Sequence, residues 1–449
     1  MRHTAGHHLP RAMAALGLFE CVLSFAVIDS IIQIAGVPSA MHAILSMLPR
    51  ADIALAAVLA VLIAAAAFTI GLYRPEICLH RKRLLIATGI AAVSVFAVLR
   101  CLSAAPPASL TGAQAMYMAE VLAAWLATTT LIRLAWGFAI SRTVTARRIL
   151  VLGEPRHVGA FRARLRSRRG RRLDPIVQPN HTLSWQELRQ SSVWAVVVAS
   201  EPDGQTVESL LDCKLRGIPV FSGAAFQERY LRRIDLDTLT PNDLLLTKGF
   251  TTGRTSAILK RSCDLAVGTA LLVLLLPLMA MTAVAVKLDS PGPVFYRQQR
   301  VGRFDTTFTL FKFRSMTADA EANGSPRWAQ KQDPRTTRVG RFMRATRIDE
   351  LPQLTNVIRG EMSLVGPRPE RRHFVEQLAR SIPFYRQRTY VKPGLTGWAQ
   401  VNFPYGASIE DAREKLAYDL YYVKNRTIML DALILVSTIR VVLFREGAR

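Results

Sequence analysis

The sequence predicts a three-part membrane protein. It has a membrane α-helical N-terminal bundle, a small α/β middle domain, and a mixed α/β C-terminal domain joined to the bilayer by a bent apolar helix. Three observations point there. Half of the 449 residues are hydrophobic, and they gather near the N-terminus in long, nearly charge-free runs, as membrane spans do. Between residues 149 and 221, short apolar runs alternate with polar, helix-capable stretches, the rhythm of βαβ units. From residue 291 onward the composition becomes a dense mixture of Arg, Gly, Pro and aromatic residues. The chain divides accordingly at 1–145, 146–250, 251–290 and 291–449.

Lys and Arg total 58 against 33 Asp and Glu, a formal charge of +25. That balance calls for an anionic partner such as lipid headgroups, a phosphorylated substrate or nucleic acid. The apolar content excludes a disordered chain. Five cysteines, at 21, 78, 101, 213 and 263, form neither a disulfide framework nor a zinc spacing. They read as buried apolar filler in a reducing compartment or a membrane.

Four segments in the first 145 residues have membrane character: 12–36, 53–73, 84–99 and 121–140. The second carries no charge over 21 residues, and the third extends to residue 105 if Arg100 snorkels. Arg74, Arg81, Lys82 and Arg83 lie between the second and third, and Arg142, Arg147 and Arg148 follow the fourth. The positive-inside rule then puts both ends of the bundle on the cytoplasmic side. Glu20, Asp29 and Arg133 fall inside these segments. They mark an ion path or pair within the bundle, and pairing is preferred because no other intramembrane charges accompany them.

Eleven Arg lie between residues 142 and 172, beside the acids Glu154 and Asp174. No aromatic residue interleaves in the densest part, 162–172, so contact with anionic lipid fits better than a nucleic-acid stripe. Apolar runs at 149–152, 193–199 and 218–221 read as strands. Gly153 follows the first run and Gly159 comes six residues later, but GxGxxG is absent. The domain reads as a degenerate, Rossmann-like nucleotide fold with a structural or regulatory role.

Residues 265–286 form an uncharged stretch of 22 residues, long enough to span. Lys260 and Arg261 precede it, however, and Lys287, Arg297, Arg300 and Arg303 follow. Spanning would put one cluster outside, against the charge rule. Pro277 removes a helical hydrogen bond in the middle. The expected form is a re-entrant helix that kinks at Pro277 and returns to the cytoplasmic face, with Asp264 capping or tethering its start.

The chemistry concentrates after residue 291. Asp349 and Glu350 are adjacent acids amid Arg341, Arg344, Arg347 and Arg359. Neighbours on a helix point about 100° apart, so the two acids need not share a role. Nearby Arg should depress a carboxylate pKa and keep it ionised. An ionised Asp is a nucleophile toward phosphorus, a second acid holds Mg²⁺, and Arg and Lys clamp phosphate. On pattern alone, acids at a helix N-terminus or in a surface salt bridge explain the pair equally well. Gly366-Pro-Arg-Pro369 likewise serves as a rigid turn.

Four motifs, in this order, decide between these readings: Phe311-Lys-Phe-Arg-Ser-Met316, Asp349-Glu-Leu-Pro-Gln-Leu354, Met362-Ser-Leu-Val-Gly-Pro-Arg-Pro369 and Lys392-Pro-Gly-Leu-Thr-Gly-Trp-Ala-Gln-Val401. From about Lys260 to the end, the chain resembles the bacterial sugar transferase family, the monotopic polyprenyl-phosphate phosphoglycosyl transferases. With its membrane and nucleotide-fold-like regions, it resembles the long members that initiate exopolysaccharide synthesis. The stretches Tyr405-Gly-Ala-Ser408 and Leu443-Phe-Arg-Glu-Gly-Ala-Arg449 look like the exosortase-associated branch.

The resemblance implies that Asp349 attacks the β-phosphate of a UDP-sugar and releases UMP. Undecaprenyl phosphate then takes the phosphosugar. It implies Glu350 as the Mg²⁺ ligand, and Lys312, Arg344 and Arg368 as phosphate-handling residues. It further implies residence in the bacterial inner (cytoplasmic) membrane with the catalytic domain on the cytoplasmic face, contact with membrane lipids, a homodimer, polysaccharide-assembly partners and no nucleic acid. Glucose and galactose donors are both compatible. One departure stands out. Many family members continue from Trp-Ala-Gln-Val into Asn-Gly-Arg, whereas here Asn402-Phe-Pro-Tyr405 follows, and Arg413 or Arg426 is the candidate substitute for the missing arginine. The competing classes are a catalytically inactive membrane scaffold, against which the intact Asp349, Glu350 and Arg368 speak, and a transporter, for which only the N-terminal segments would serve.

Overall fold

The computed structural model describes residues 147–166, 173–178, 185–200, 202–247, 249–251, 253–317, 335–403, 406 and 408–443, and in the N-terminal region 17–27, 29–30, 53, 57, 60, 127–135 and 138. The expected span 84–99, most of 53–73 and the basic loops between them lie outside these residues, as do 404–405 and 444–449. By packing, the chain forms two units, residues 1–196 with 201–220 and residues 197–200 with 221–449. Residues 221–250, read from sequence as the end of the middle domain, thus pack with the C-terminal unit.

In the first unit, Gly17–Val27 is an apolar helix and residues 127–135 are helical. Arg133 donates from Nε to Glu20 Oε1 at 2.8 Å and from a terminal nitrogen to Oε2 at 2.6 Å, with both side chains buried. A buried charge needs such a partner, and for Glu20 and Arg133 the expected pairing is what the structure contains. The unit also holds β1 (Arg147–Leu152), α1 (Pro155–Arg166), β2 (Leu173–Gln178), α2 (Trp185–Gln190), β3 (Val193–Val198) and α3 (Gly204–Leu215). With β4 (Val220–Ser222) the strands order as β2-β1-β3-β4, and β1 runs parallel to β2. Ile149 to Leu152 and Ala195 to Val197 are all buried, as the continuous apolar runs of parallel strands require. Gly153 takes φ 141° after β1, a conformation that favours glycine. A Cβ at Gly159 would meet nothing within 4 Å, so no close approach demands glycine there.

The second unit begins with α4 (Gly223–Phe226), a π-helical turn over Gln227–Leu231, and α5 (Pro241–Leu246). Next comes α6 (Arg254–Asp289), 36 residues that stay helical through Pro277. At 1.5 Å per residue it is about 54 Å long. It is the one described helix long and apolar enough to cross a membrane. β5 (Phe295–Val301) and β6 (Thr307–Phe313) form an antiparallel ribbon. α7 (Arg338–Thr346), a 3-10 segment (Ile348–Gln353) and α8 (Leu354–Arg359) lead to β7 (Ser363–Val365). α9 (Arg372–Ser381) and a 3-10 segment (Tyr385–Tyr390) precede β8 (Gly394–Thr396), which pairs parallel with β7. α10 (Trp398–Asn402), α11 (Ile409–Asn425) and α12 (Ile428–Leu443) complete it.

One stripe of α6 packs on this body along most of its length. Asp264 accepts Ser363 Oγ–H at 2.8 Å and the Leu364 amide at 3.2 Å, so Asp264 tethers the helix rather than capping it. Gly268 lies against Val357, Leu272 against both neighbouring cores, and Met279 and Val286 in one core with Phe313 and Met343. At the far end Arg314 donates to the carbonyls of Val286, Ser290 and Pro291, which closes the helix C-terminus. The other face is bare: Leu274 is 72% and Leu276 58% exposed. Among the described cysteines, Cys213 is buried as expected, and Cys263 is exposed on α6.

Candidate active site

β6 supplies the first site residue. Phe308 and Leu310 enter the core, and two residues on, Lys312 leaves the same face toward Glu350, with Nζ 3.7 Å from Oε1. Side chains in a strand alternate, so Phe313 enters the opposite core with Met343. Asn356, fully buried on α8, pins this strand. Its Oδ1 accepts the Phe311 amide at 3.2 Å, and its Nδ2 donates to Thr309 O and to Glu361, each at 2.7 Å.

The acids follow α7. Arg347 ends that helix in the left-handed region (φ 62°, ψ 14°) and starts the 3-10 segment. Both Asp349 and Glu350 are 7% exposed, which excludes a surface salt bridge. Three cations meet Glu350 Oε1: Arg368 at 2.8 Å, Arg347 at 3.5 Å and Lys312 at 3.7 Å. Asp349 Oδ1 is buried with no hydrogen-bond partner.

Arg368 sits on the turn after β7, and that turn is held by its carbonyls. The Gly394 amide donates to Pro367 O at 2.9 Å. Arg388 donates to Arg368 O at 3.1 Å, and Arg300 to Pro369 O at 3.0 Å. Arg388 is itself held by Asp419 at 2.7 Å and Tyr385 at 3.1 Å. Gly366 and Gly394 run so close that a Cβ on either would strike the other's backbone. Only glycine allows that approach.

The electrostatics separate the two acids. Burial, and next the Glu350 charge, push Asp349 up to about 6, against the pull of Lys312, Arg347 and Arg368. Burial also disfavours the Glu350 anion, yet Arg368, Lys312 and Arg347 overcome it and hold Glu350 well below the usual carboxylate range. The expectation that nearby Arg depress the pKa therefore holds for Glu350 and is corrected for Asp349, where burial and a like charge win. Burial pulls Lys312 down to about 8, with Glu350 opposing. The resulting site pairs a buried carboxyl of raised pKa with a carboxylate held ionised by a ring of cations.

Of the sequence-derived candidates, Asp349, Glu350, Lys312 and Arg368 come together. Arg344 stands apart from the cations on Glu350: it donates to Thr336 Oγ1 at 3.2 Å. Arg347 takes the third position. Arg413 forms a close ion pair with Asp237, and Arg426 lines a different cavity.

A family model described as bacterial sugar transferase matches residues 255–445, which run from α6 into the residues after α12. The UDP-N-acetylgalactosamine-undecaprenyl-phosphate N-acetylgalactosaminephosphotransferase of Aeromonas hydrophila is 43% identical over 281 residues, 60% of this chain and 65% of that protein. The undecaprenyl-phosphate glucose phosphotransferase of Komagataeibacter xylinus is 43% identical over 194 residues, 42% of this chain and 36% of that protein. The exopolysaccharide production protein PSS of Rhizobium leguminosarum bv. phaseoli is 40% identical over 190 residues, 40% of this chain and 94% of that protein. The chain belongs to the bacterial sugar transferase family. It spans less than two thirds of the length of the first two relatives.

The acids of this bacterial sugar transferase fit a divalent cation. Mg²⁺ keeps several waters and takes one or two carboxylates plus substrate phosphate. Asp349 and Glu350 supply two carboxylates, and the orphaned Asp349 Oδ1 is an atom that a cation would satisfy. Among the described residues no group of three or more His, Cys, Asp and Glu gathers, so the remaining ligands would be water and phosphate. Sequence reasoning missed Arg388, Asp419 and Arg300, whose task is to fix the Arg368 turn. They lie 20, 51 and 68 residues from it in sequence, and no local pattern joins them.

Proposed function

We propose that this protein transfers a hexose-1-phosphate from a UDP-sugar to undecaprenyl phosphate and so starts exopolysaccharide synthesis. The observation that carries the reading is the buried Asp349 carboxylate, raised in basicity and without a hydrogen bond on Oδ1, beside a ring of cations. In the first step an Asp349 oxygen bonds to the β-phosphorus. The bond from that phosphorus to the bridging oxygen breaks, and UMP leaves with the electron pair. Lys312, Arg347 and Arg368 bind the phosphate oxygens and spread their charge. In the second step an oxygen of undecaprenyl phosphate bonds to the same phosphorus, and Asp349 leaves as carboxylate. Glu350, with Asp349, would hold Mg²⁺, which when bound neutralises charge on the phosphates.

Membrane attachment follows from α6. Both ends of the helix hold one body, through Asp264 at one end and Arg314 at the other. Spanning would place parts of that body on opposite sides of the bilayer. The bare apolar face therefore dips into the leaflet and both ends stay cytoplasmic, with Pro277 at the deepest part. The acceptor's phosphate lies at that same interface, since burying it is costly. The N-terminal region adds a helical bundle in the inner membrane, and the parallel sheet a Rossmann-like domain. The exosortase-associated branch, a homodimer and polysaccharide-assembly partners complete this reading. The assembled ring of Lys312, Arg347 and Arg368 on Glu350 favours it over an inactive scaffold.

The test is UMP release from a panel beginning with UDP-glucose and UDP-N-acetylgalactosamine. It uses purified full-length protein, undecaprenyl phosphate and Mg²⁺. Release with one donor, lost in Asp349→Asn and Glu350→Gln and on chelation with EDTA, is the expected result. No release with any donor from folded protein contradicts the reading.

A further inference from the structure

The C-terminal unit contains a cavity of about 290 Å³, and none of Lys312, Asp349, Glu350 and Arg368 lines it. Five cations do: Lys260, Arg261, Arg303, Lys392 and Arg426. Only two acids oppose them, Asp264 and Asp431, and both are already engaged. Asp264 takes Ser363, the Leu364 amide and Lys260; Asp431 takes Lys260 at 2.8 Å and Tyr422 at 2.8 Å. Arg261 is committed to the Val357 and Ile358 carbonyls, each at 2.7 Å.

Three cations are left with little to hold. Arg303 makes one long bond to a carbonyl, 3.4 Å to Tyr390 O, and stacks its guanidinium over the Phe304 ring at 4.4 Å. Lys392 has no hydrogen-bond partner among the described residues. Arg426 Nε is buried and unpartnered. Burial first, and then neighbouring cations, push both Lys392 and Arg426 below their ordinary pKa values.

Two helices also begin at this cavity. Ser256 and Ala257 in the first turn of α6, and Thr427 and Ile428 at the start of α12, line it. Gly253, the N-cap of α6, has no side chain to satisfy the free amides. Helix starts carry partial positive charge and favour phosphate. Beside these lining residues lie exposed apolar side chains: Ile258 is 67% and Met429 79% exposed. A cation-lined pocket with bare apolar side chains beside it matches a headgroup with its chains alongside.

We propose that this cavity is a second phosphate site, separate from the Asp349 centre, and that it holds the phosphate of an anionic membrane lipid. Arg303, Lys392 and Arg426 supply the charge-assisted hydrogen bonds, and the starts of α6 and α12 supply the dipoles. This inference stands whether or not the transferase reading is right, because it uses none of the catalytic residues.

The test is native mass spectrometry of the full-length protein released from nanodiscs that mix phosphatidylglycerol with phosphatidylcholine. Wild type should retain phosphatidylglycerol preferentially. The Lys392→Gln/Arg426→Gln variant should retain it about tenfold less or lower, given the strength of charge-assisted bonds. Lys392→Arg/Arg426→Lys keeps the charges and should restore retention, which separates a lost site from a damaged fold. Equal retention of the two lipids, or equal phosphatidylglycerol retention in wild type and the Gln variant, overturns the proposal. Displacement of the lipid by millimolar inorganic phosphate or UMP at this site overturns the lipid assignment in favour of a soluble phosphate.

Discussion

Asp349 and Glu350 are neighbours in sequence with opposite perturbations, and the reason is where each carboxylate points. Glu350 Oε1 faces three cations, while Asp349 Oδ1 faces none within hydrogen-bonding distance. The pH dependence follows. In the proposed mechanism Asp349 attacks as the carboxylate, so kcat/KM falls at acid pH, with a limb no higher than about 6, because a bound cation would favour the ionised form. Lys312 must be protonated to bind phosphate, so kcat/KM falls as pH passes about 8. A bell with those two limbs is expected. Lys312→Arg should keep part of the activity and lose the alkaline limb, since Arg does not titrate there. An alkaline limb unchanged in that variant would assign it to another group. Asp349, Glu350, Lys312 and Arg368 were legible in the sequence because each sits in a contiguous motif. The raised pKa of Asp349 was not, because it depends on burial and on the direction of one oxygen.

The elements that position these residues are short, and they depend on tertiary hydrogen bonds more than on propensity. β7 and β8 have three residues each, too few to persist alone. Gly394→Ala should therefore destabilise the protein by about 3 kcal/mol or more, because the Gly366 backbone cannot yield to a Cβ. The loss is read by thermal unfolding in detergent. Asn356→Leu strands the Phe311 amide and the partners of Nδ2, and at about 1–3 kcal/mol per stranded buried group it should cost several times the median mutation. The turn carrying Arg368 was legible as a rigid turn. Its supports, Arg300, Arg388 and Asp419, became visible only once the fold brought distant segments together. The same holds for the cations of the second cavity, which come from the segments around 260, 303, 392 and 426.

At the scale of the whole molecule, the proposal rests on one apolar helix to hold the chemistry at the bilayer surface. Charge on both sides of 265–286 argues against spanning, and the stripe that packs on the body supports the proposed re-entrant seating. Leu274 touches solvent in the structure, so Leu274→Asp costs no core packing. It should still weaken the seating of α6 in the leaflet by about 2–3 kcal/mol, seen as faster hydrogen exchange around residue 274 in the full-length protein held in nanodiscs. The measurement that bears hardest on the mechanism is the intact mass of the full-length protein after exposure to its UDP-sugar without undecaprenyl phosphate. A mass increase of one phosphosugar, absent in Asp349→Asn and discharged on adding undecaprenyl phosphate, is expected. UMP release that proceeds only when the lipid is present, with no adduct at any time, would contradict Asp349 as the nucleophile.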